Sequence, residues 1–69
     1  MKIILNLKPI RIAQGKTQKD VAKSAGISQA HISELELNVK SPTLATIEKL
    51  MNALDVSLYE LLTVEKRIK

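Results

Sequence analysis

The segment from Gln18 to Leu35 constrains the fold more than any other part of this 69-residue chain. It has a small residue, Ala22, inside one apolar run, Gly26 four positions later, and a second apolar run that contains Ile32 and Leu35. A small side chain lets two helices approach closely, and glycine lets the chain turn because it adopts positive φ freely. The pattern therefore predicts two short helices that cross at a steep angle.

The size and composition of the chain predict one small domain without a cofactor. With 69 residues, of which 45% are apolar, it can bury one modest core. It has no cysteine and a single histidine, His31, which excludes disulfides and a structural zinc site. Its titratable residues suggest no catalytic or metal-binding cluster, and no apolar run is long enough to span a membrane. We therefore expect a cytoplasmic protein that is not an enzyme.

The positive charge of the chain is concentrated in its first part. The formal net charge is +4, and up to Pro42 there are seven basic residues against three acidic ones. Beyond Pro42 four basic residues balance four acidic ones. This distribution favours a polyanion-binding face in the first part and a separate assembly face in the second.

Capping residues and apolar periodicity predict an all-α fold of five helices. Asn38 is expected to end the third helix in the left-handed region. The predicted helices are Leu7–Gln14 with Asn6 as N-cap, Gln18–Ser24 capped by Thr17, Gln29 to about Leu37 capped by Ser28, Thr43–Leu54, and Leu58–Leu62 opened by a capping box of Ser57 and Glu60. The inward face of the fourth helix is expected to carry Leu44, Ile47, Leu50, Met51 and Leu54.

The two ends of the chain fit none of these helical patterns. Lys2–Leu5 and Thr63–Ile68 are rich in β-branched residues. Two alternatives remain, a short two-stranded ribbon formed by both ends or frayed tails.

A set of residues spread over most of the chain has the order and spacing of a known family. These residues are Arg11, Gly15, Thr17-Gln18, Val21-Ala22, Gly26-Ile27-Ser28, Ile32-Ser33, Glu36, Pro42, Leu50, Leu54-Asp55-Val56-Ser57 and Leu61-Leu62. On them the chain resembles the lambda-repressor-like helix-turn-helix family, of the Cro, phage-repressor or xenobiotic-response-element type. The resemblance implies a compact five-helix DNA-binding domain over residues 1–69, with its helix-turn-helix core at 17–37 and a dimerisation region near 56–66 and the N-terminus.

The resemblance also implies two sets of DNA contacts. Gln29 would pair with adenine, and the Ala30 methyl group would touch a thymine methyl. The implied base contacts, on the outward face of the third helix, are Gln29, Ala30, Ser33 and Glu34. The implied phosphate contacts are Gln18, Thr17, Arg11, Lys19, Ser28, His31, Asn38 and Lys40. For Lys8, Lys19 and Lys23 an ordinary solvated lysine is an equal alternative.

In this family the positions of Arg11 and Glu36 typically form an ion pair that orients the third helix. Two features depart from the family pattern. Glu34 stands where a basic or amide residue is frequent, and a carboxylate near phosphates weakens binding unless it accepts a hydrogen bond from a cytosine N4 amino group. Leu37 and Val39 are apolar in a loop that is usually polar, and they either pack beneath the chain or form a protein-binding patch.

Together these features predict a sequence-specific regulator of transcription that binds double-stranded DNA. We expect a repressor that acts as a homodimer on a pseudo-palindromic operator. The candidate dimer contacts are Leu58, Tyr59, Leu62, Val64, Ile3 and Ile4. The alternatives are a protein-interaction module with the same fold and an antitoxin of a toxin–antitoxin pair, either of which would have a protein partner.

Overall fold

The computed structural model describes residues 2–65, and in this range the chain forms five helices and an antiparallel two-stranded ribbon. The elements are β1 (Lys2–Leu5), α1 (Leu7–Ala13), α2 (Gln18–Ala25), α3 (Gln29–Glu36), α4 (Leu44–Leu54), α5 (Leu58–Leu61) and β2 (Leu62–Glu65). The predicted architecture is confirmed, and each helix lies within one residue of its predicted bounds. The predicted extension of the second strand to Ile68 falls outside the described residues. Across residues 2–65 no helix has the length and apolar character that crossing a membrane requires.

Side-chain caps determine where several of the helices begin. Thr17 opens α2 and Ser57 opens α5 through complete capping boxes with Asp20 and Glu60, in which each side chain bonds to the other residue's backbone N–H. Ser28 caps α3 through its hydroxyl. These bonds satisfy amide groups that have no partner inside the helix. The N-cap predictions at Thr17, Ser28 and Ser57 are confirmed.

Asn6 precedes α1 but does not cap it with its side chain. Its amide instead donates to the backbone oxygen of Glu60 at 3.2 Å and to Oγ1 of Thr63 at 2.7 Å. The predicted side-chain cap is therefore wrong. The partners lie 54 and 57 positions away in the sequence, so a local capping pattern could not reveal them.

The core is aliphatic and is built from every helix. The most deeply buried side chains are Leu7, Ile32, Leu35, Leu50, Leu54, Leu61 and Val21. The predicted inward face of α4 is wrong at one position, since Leu44 is 83% exposed. Thr46 is buried in the same helix, and its hydroxyl bonds to that of Thr43 at 3.1 Å. Leu44 is the first residue of the helix, where the chain is still at the edge of the core.

The turn between α2 and α3 depends on Gly26. Its φ is +70°, and a Cβ atom built on it would meet nothing within 4 Å. Glycine is thus favoured here because of its positive φ, and not because a side chain would collide with neighbouring atoms. Asn38 follows the C-cap residue of α3, Leu37, and its φ of +56° lies in the left-handed region, as predicted.

The ribbon has one apolar face. Ile3 lies opposite Val64, and Leu5 lies opposite Leu62. Because side chains alternate along a strand, these four residues lie on the same face. Leu5 is buried, whereas Ile3 and Val64 are 62% and 55% exposed. One end of this face joins the core and the other lies on the surface.

Candidate nucleic-acid interface

One side of α3 anchors the helix and the other is accessible. Ile32 and Leu35 are fully buried. Gln29 and Ala30, in the first turn, are exposed, and the later outward residues Ser33 and Glu34 are partly buried. The helix is therefore fixed by its inner side and presents its first turn to the solvent. Contact of these four residues with bases stays a prediction.

Arg11 of α1 and Glu36 of α3 form a nearly buried ion pair. The Nε and Nη2 atoms of Arg11 donate to the two carboxylate oxygens of Glu36 at 2.5 and 3.1 Å. The side chains are only 12% and 4% exposed. The Nη1 atom of Arg11 also donates to the backbone oxygen of Lys16, at 2.9 Å. The two bonds between Arg11 and Glu36 fix the end of α3 to α1, and the third fixes Arg11 to the chain just before α2.

Glu36 receives a third hydrogen bond, from Gln18. The Nε2 atom of Gln18 lies 3.0 Å from Oε1 of Glu36. Burial raises the pKa of Glu36, whereas the hydrogen bonds from Arg11 and Gln18 lower it. Together with the nearby positive charges these bonds outweigh burial, so the pKa lies below its usual value. The amide of Gln18 is thus turned toward the ion pair. Its predicted phosphate contact stays a prediction, for which the backbone N–H groups in the first turn of α2 are suited donors.

Glu34 and Lys40 are joined by an ion pair on the surface. The Nζ atom of Lys40 is 2.9 Å from Oε2 of Glu34, and the two side chains are 65% and 42% exposed. The hydrogen bond from Lys40, and then its charge, lower the pKa of Glu34. The sequence assigned Glu34 to a base and Lys40 to a phosphate, and it gave no sign that the two side chains meet.

The side chain of Asn38 is bonded to the ribbon. Its Oδ1 atom accepts from the backbone N–H of Leu5 at 2.8 Å, and its Nδ2 atom donates to the backbone oxygen of Leu5 at 3.2 Å. The amide thus bonds to the outer edge of β1 as a neighbouring strand would. Sequence reasoning missed this contact, which spans 33 positions, and the phosphate contact of Asn38 stays a prediction.

The guanidinium of Arg11 is bonded to Glu36 and Lys16, and its predicted phosphate contact stays a prediction. The remaining predicted phosphate contacts lie at or near the starts of α2 and α3. Thr17, Lys19 and Ser28 are exposed, and His31 is partly buried. The hydroxyls of Thr17 and Ser28 already accept backbone N–H groups as caps. Lys8 and Lys23 are also exposed, so solvated lysines and phosphate ligands remain equal alternatives for them.

Apolar side chains are exposed on the ribbon, on α5 and around the loop after α3. Tyr59 is 93% exposed and Leu58 is 43% exposed, while Leu62 and Ile4 are partly buried. Leu37 and Val39 are 69% and 68% exposed, which excludes the alternative that they pack beneath the chain. An apolar groove of about 280 Å³ was not predicted; its lining includes Leu5, Pro42, Leu44, Ile47 and Leu62.

Comparison with known proteins shows that the sequence is similar to helix-turn-helix proteins. The helix-turn-helix family model HTH_3 matches residues 7–61. The HTH-type transcriptional regulator y4dJ of Sinorhizobium fredii is 40% identical over 58 residues, which cover 84% of this chain and 75% of that protein. Antitoxin HipB of Escherichia coli is 40% identical over 52 residues, which cover 75% of this chain and 59% of the antitoxin.

Solved structures of restriction-modification controller proteins are also similar. The controller protein C.Esp1396I has a TM-score of 0.71 at 33% identity, and the match covers 78% of this chain and 70% of that one. The controller protein C.AhdI from Aeromonas hydrophila has a TM-score of 0.76 at 29% identity, with 80% and 83% of the two chains covered.

Proposed function

This chain belongs to the helix-turn-helix family of DNA-binding transcriptional regulators, and we propose that it is a repressor that binds a pseudo-palindromic operator as a homodimer. Each copy would insert α3 into the major groove of one half-site. For such dimers the half-sites lie about 34–36 Å apart, or one helical turn. Occupation of the operator would then exclude the polymerase.

The observation that carries this proposal is the exposed first turn of α3 on a fixed support. Gln29 and Ala30 are exposed, while Ile32 is fully buried and Glu36 is held by Arg11. A helix fixed in this way keeps its orientation when it meets DNA, so little ordering is needed on binding. Exposed lysines and capped helix starts nearby are suited to phosphates.

The homodimer is supported by exposed apolar side chains on α5 and on the ribbon. Tyr59 and Leu58 of α5 are exposed, as are Ile3 and Val64 on the apolar face of the ribbon. Burial of these side chains against a second copy would remove apolar surface from water. We propose that the dimer contacts come from residues 56–66 and from β1, and that they include the partly buried Leu62 and Ile4. The proposed helix-turn-helix core is residues 17–37.

A titration of duplex DNA at two salt concentrations tests the proposal. A dimer that neutralises six to ten phosphates should lose about 10³–10⁵ in affinity between roughly 50 and 200 mM salt. Selection from a random duplex pool provides the specific duplex, and a shuffled duplex of equal length is the control. Equal binding of both duplexes, or an affinity that does not change with salt, would contradict the proposal.

A second candidate is an antitoxin that represses its own operon and also binds a toxin. The 40% identity to antitoxin HipB favours it, as do the exposed Leu37, Val39 and Leu44. Co-purification with the product of the adjacent gene tests it, with Leu37→Ser/Val39→Ser as the variant expected to lose the partner while retaining DNA binding. Retention of the partner by this variant would contradict a toxin contact at these residues.

A further inference from the structure

The ion pair of Glu34 and Lys40 links two residues whose DNA contacts were predicted separately. Duplex DNA carries about one negative charge per 1.7 Å of its axis, so a carboxylate that enters a groove is repelled unless a cation accompanies it. Lys40 supplies that cation, with its Nζ atom 2.9 Å from Oε2 of Glu34. If Lys40 moved to a phosphate, Glu34 would lose its counter-ion where the negative potential is strongest.

The ion pair presents an acceptor beside a donor, and the major-groove edge of a C·G pair presents the opposite arrangement. Cytosine offers its N4 amino group as a donor, and guanine offers O6 and N7 as acceptors. The N4 and O6 atoms are themselves joined by a base-pairing hydrogen bond and so lie about 2.9 Å apart. This spacing equals the 2.9 Å between Lys40 Nζ and Glu34 Oε2, so both cross-contacts can form together.

The other base pairs match less well. An A·T pair also has a donor, adenine N6, beside an acceptor, thymine O4. It places the adenine N7 acceptor next to the carboxylate, however, and the thymine methyl group next to the ammonium. In a C·G pair, by contrast, guanine offers the ammonium two acceptors. The other group that cytosine presents near the carboxylate, beside N4, is C5–H, which is not an acceptor. The ion pair is therefore complementary to C·G in one orientation.

The position of the ion pair on α3 allows it to reach a base pair. Glu34 lies four residues after Ala30, about 6 Å along the helix axis and close to two base-pair steps of about 3.4 Å. The side chains of Lys40 and Glu34 are 65% and 42% exposed, so they can reach a groove without disturbing the core. The loop that carries Lys40 is held two residues earlier, where Asn38 bonds to Leu5.

From this geometry we infer that Glu34 and Lys40 read one C·G pair as a unit. The carboxylate of Glu34 accepts from cytosine N4, and the ammonium of Lys40 donates to guanine O6 or N7. The inference rests on the proposed function, because α3 must lie in the major groove. It adds that Lys40 determines sequence specificity and that each half-site contains a C·G pair about two steps from the pair that Ala30 contacts.

Selection from a random duplex pool, with matched variants, tests the inference. The wild-type motif should contain C·G at this position. Glu34→Gln should change the preference there to A·T, since glutamine pairs with adenine N6 and N7. Lys40→Met should weaken the C·G preference at the same position. The control Lys49→Met removes an exposed lysine of α4 and should leave the motif unchanged.

Titrations of two duplexes that differ only at this pair give the magnitude. The wild type should prefer C·G to T·A by about tenfold or more, and Glu34→Gln and Lys40→Met should each reduce this ratio to near one. Circular dichroism melting checks that the variants fold. If Lys40→Met weakens both duplexes equally and keeps the ratio, Lys40 is a phosphate ligand and the inference is overturned.

The two proposals fail in different ways. If the wild type binds no duplex selectively, the proposed function itself fails. If it binds a selected duplex but has no C·G at this position, or if Glu34→Gln keeps the C·G preference, only the further inference fails.

Discussion

Replacement of Arg11 by methionine should both destabilise the domain and reverse the pH dependence contributed by Glu36. The change removes two hydrogen bonds to a carboxylate whose side chain is only 4% exposed. Loss of one partner from a buried ion pair costs about 3–5 kcal/mol. Gln18 still donates to Glu36, so we expect the lower end, about 3 kcal/mol. A domain of this size has a total stability of roughly 3–10 kcal/mol, so the loss is a large part of it.

The pH dependence separates this explanation from a simple packing defect. In the wild type the folded-state pKa of Glu36 is below the unfolded value of about 4.3, so its contribution to stability is present above that pH and is lost as the pH falls through the folded pKa. Without Arg11, we expect burial to outweigh the remaining hydrogen bond from Gln18 and the charge of Lys8, so that the folded-state pKa rises above the unfolded value. The variant should then gain stability relative to the wild type as the pH falls from 7 toward about 4.3.

Urea denaturation followed by circular dichroism at pH 7 and pH 5 measures both effects. Lys40→Met breaks an exposed ion pair and should leave the free energy of unfolding unchanged within error. The double variant Arg11→Met/Glu36→Gln removes the buried charge as well and should recover part of the loss. The reasoning is refuted if Arg11→Met costs less than about 1 kcal/mol at pH 7, well under the range for a buried pair, or if its deficit does not shrink at pH 5.

Three further variants test the base contact, the turn and the dimer. Gln29→Ala should lower discrimination at one base position by about 1–3 kcal/mol, whereas an equal loss on all duplexes in titrations would contradict base reading. Gly26→Val should destabilise the domain by about 1–3 kcal/mol in thermal melts, because a β-branched residue is strained at positive φ. Gly26→Asn is its control and should cost less, and equal melting of the two would contradict this account. Tyr59→Ser should raise the dimer dissociation constant in sedimentation equilibrium while the fold is retained, and an unchanged constant would exclude Tyr59 from the interface.

Sequence reasoning succeeded where the determining contacts are local. The capping boxes of Thr17 and Ser57 each involve a residue three positions later in the sequence. The positive φ of Gly26 is confined to the short turn between α2 and α3. Such signals can be read from a short window of sequence. The helix bounds followed from them to within one residue.

It failed where a polar side chain has a distant partner. The amides of Asn6, Gln18 and Asn38 bond to groups 18 to 57 positions away, and only the folded chain brings these groups together. Lys40 is only six positions from Glu34, but it lies in the loop after α3, and helical periodicity does not give the path of that loop. Leu44 was misassigned because periodicity gives the direction of a side chain but not where the core ends.

The bond between Asn38 and Leu5 makes the backbone amide of Leu5 a natural spectroscopic reporter. This N–H group points to Asn38 just after α3, so its NMR chemical shift and its rate of hydrogen exchange depend on how that segment is held. A change at the Leu5 resonance on addition of duplex DNA would report movement of the segment after α3, although Leu5 itself lies on the ribbon. No label on the proposed DNA-binding surface would be needed.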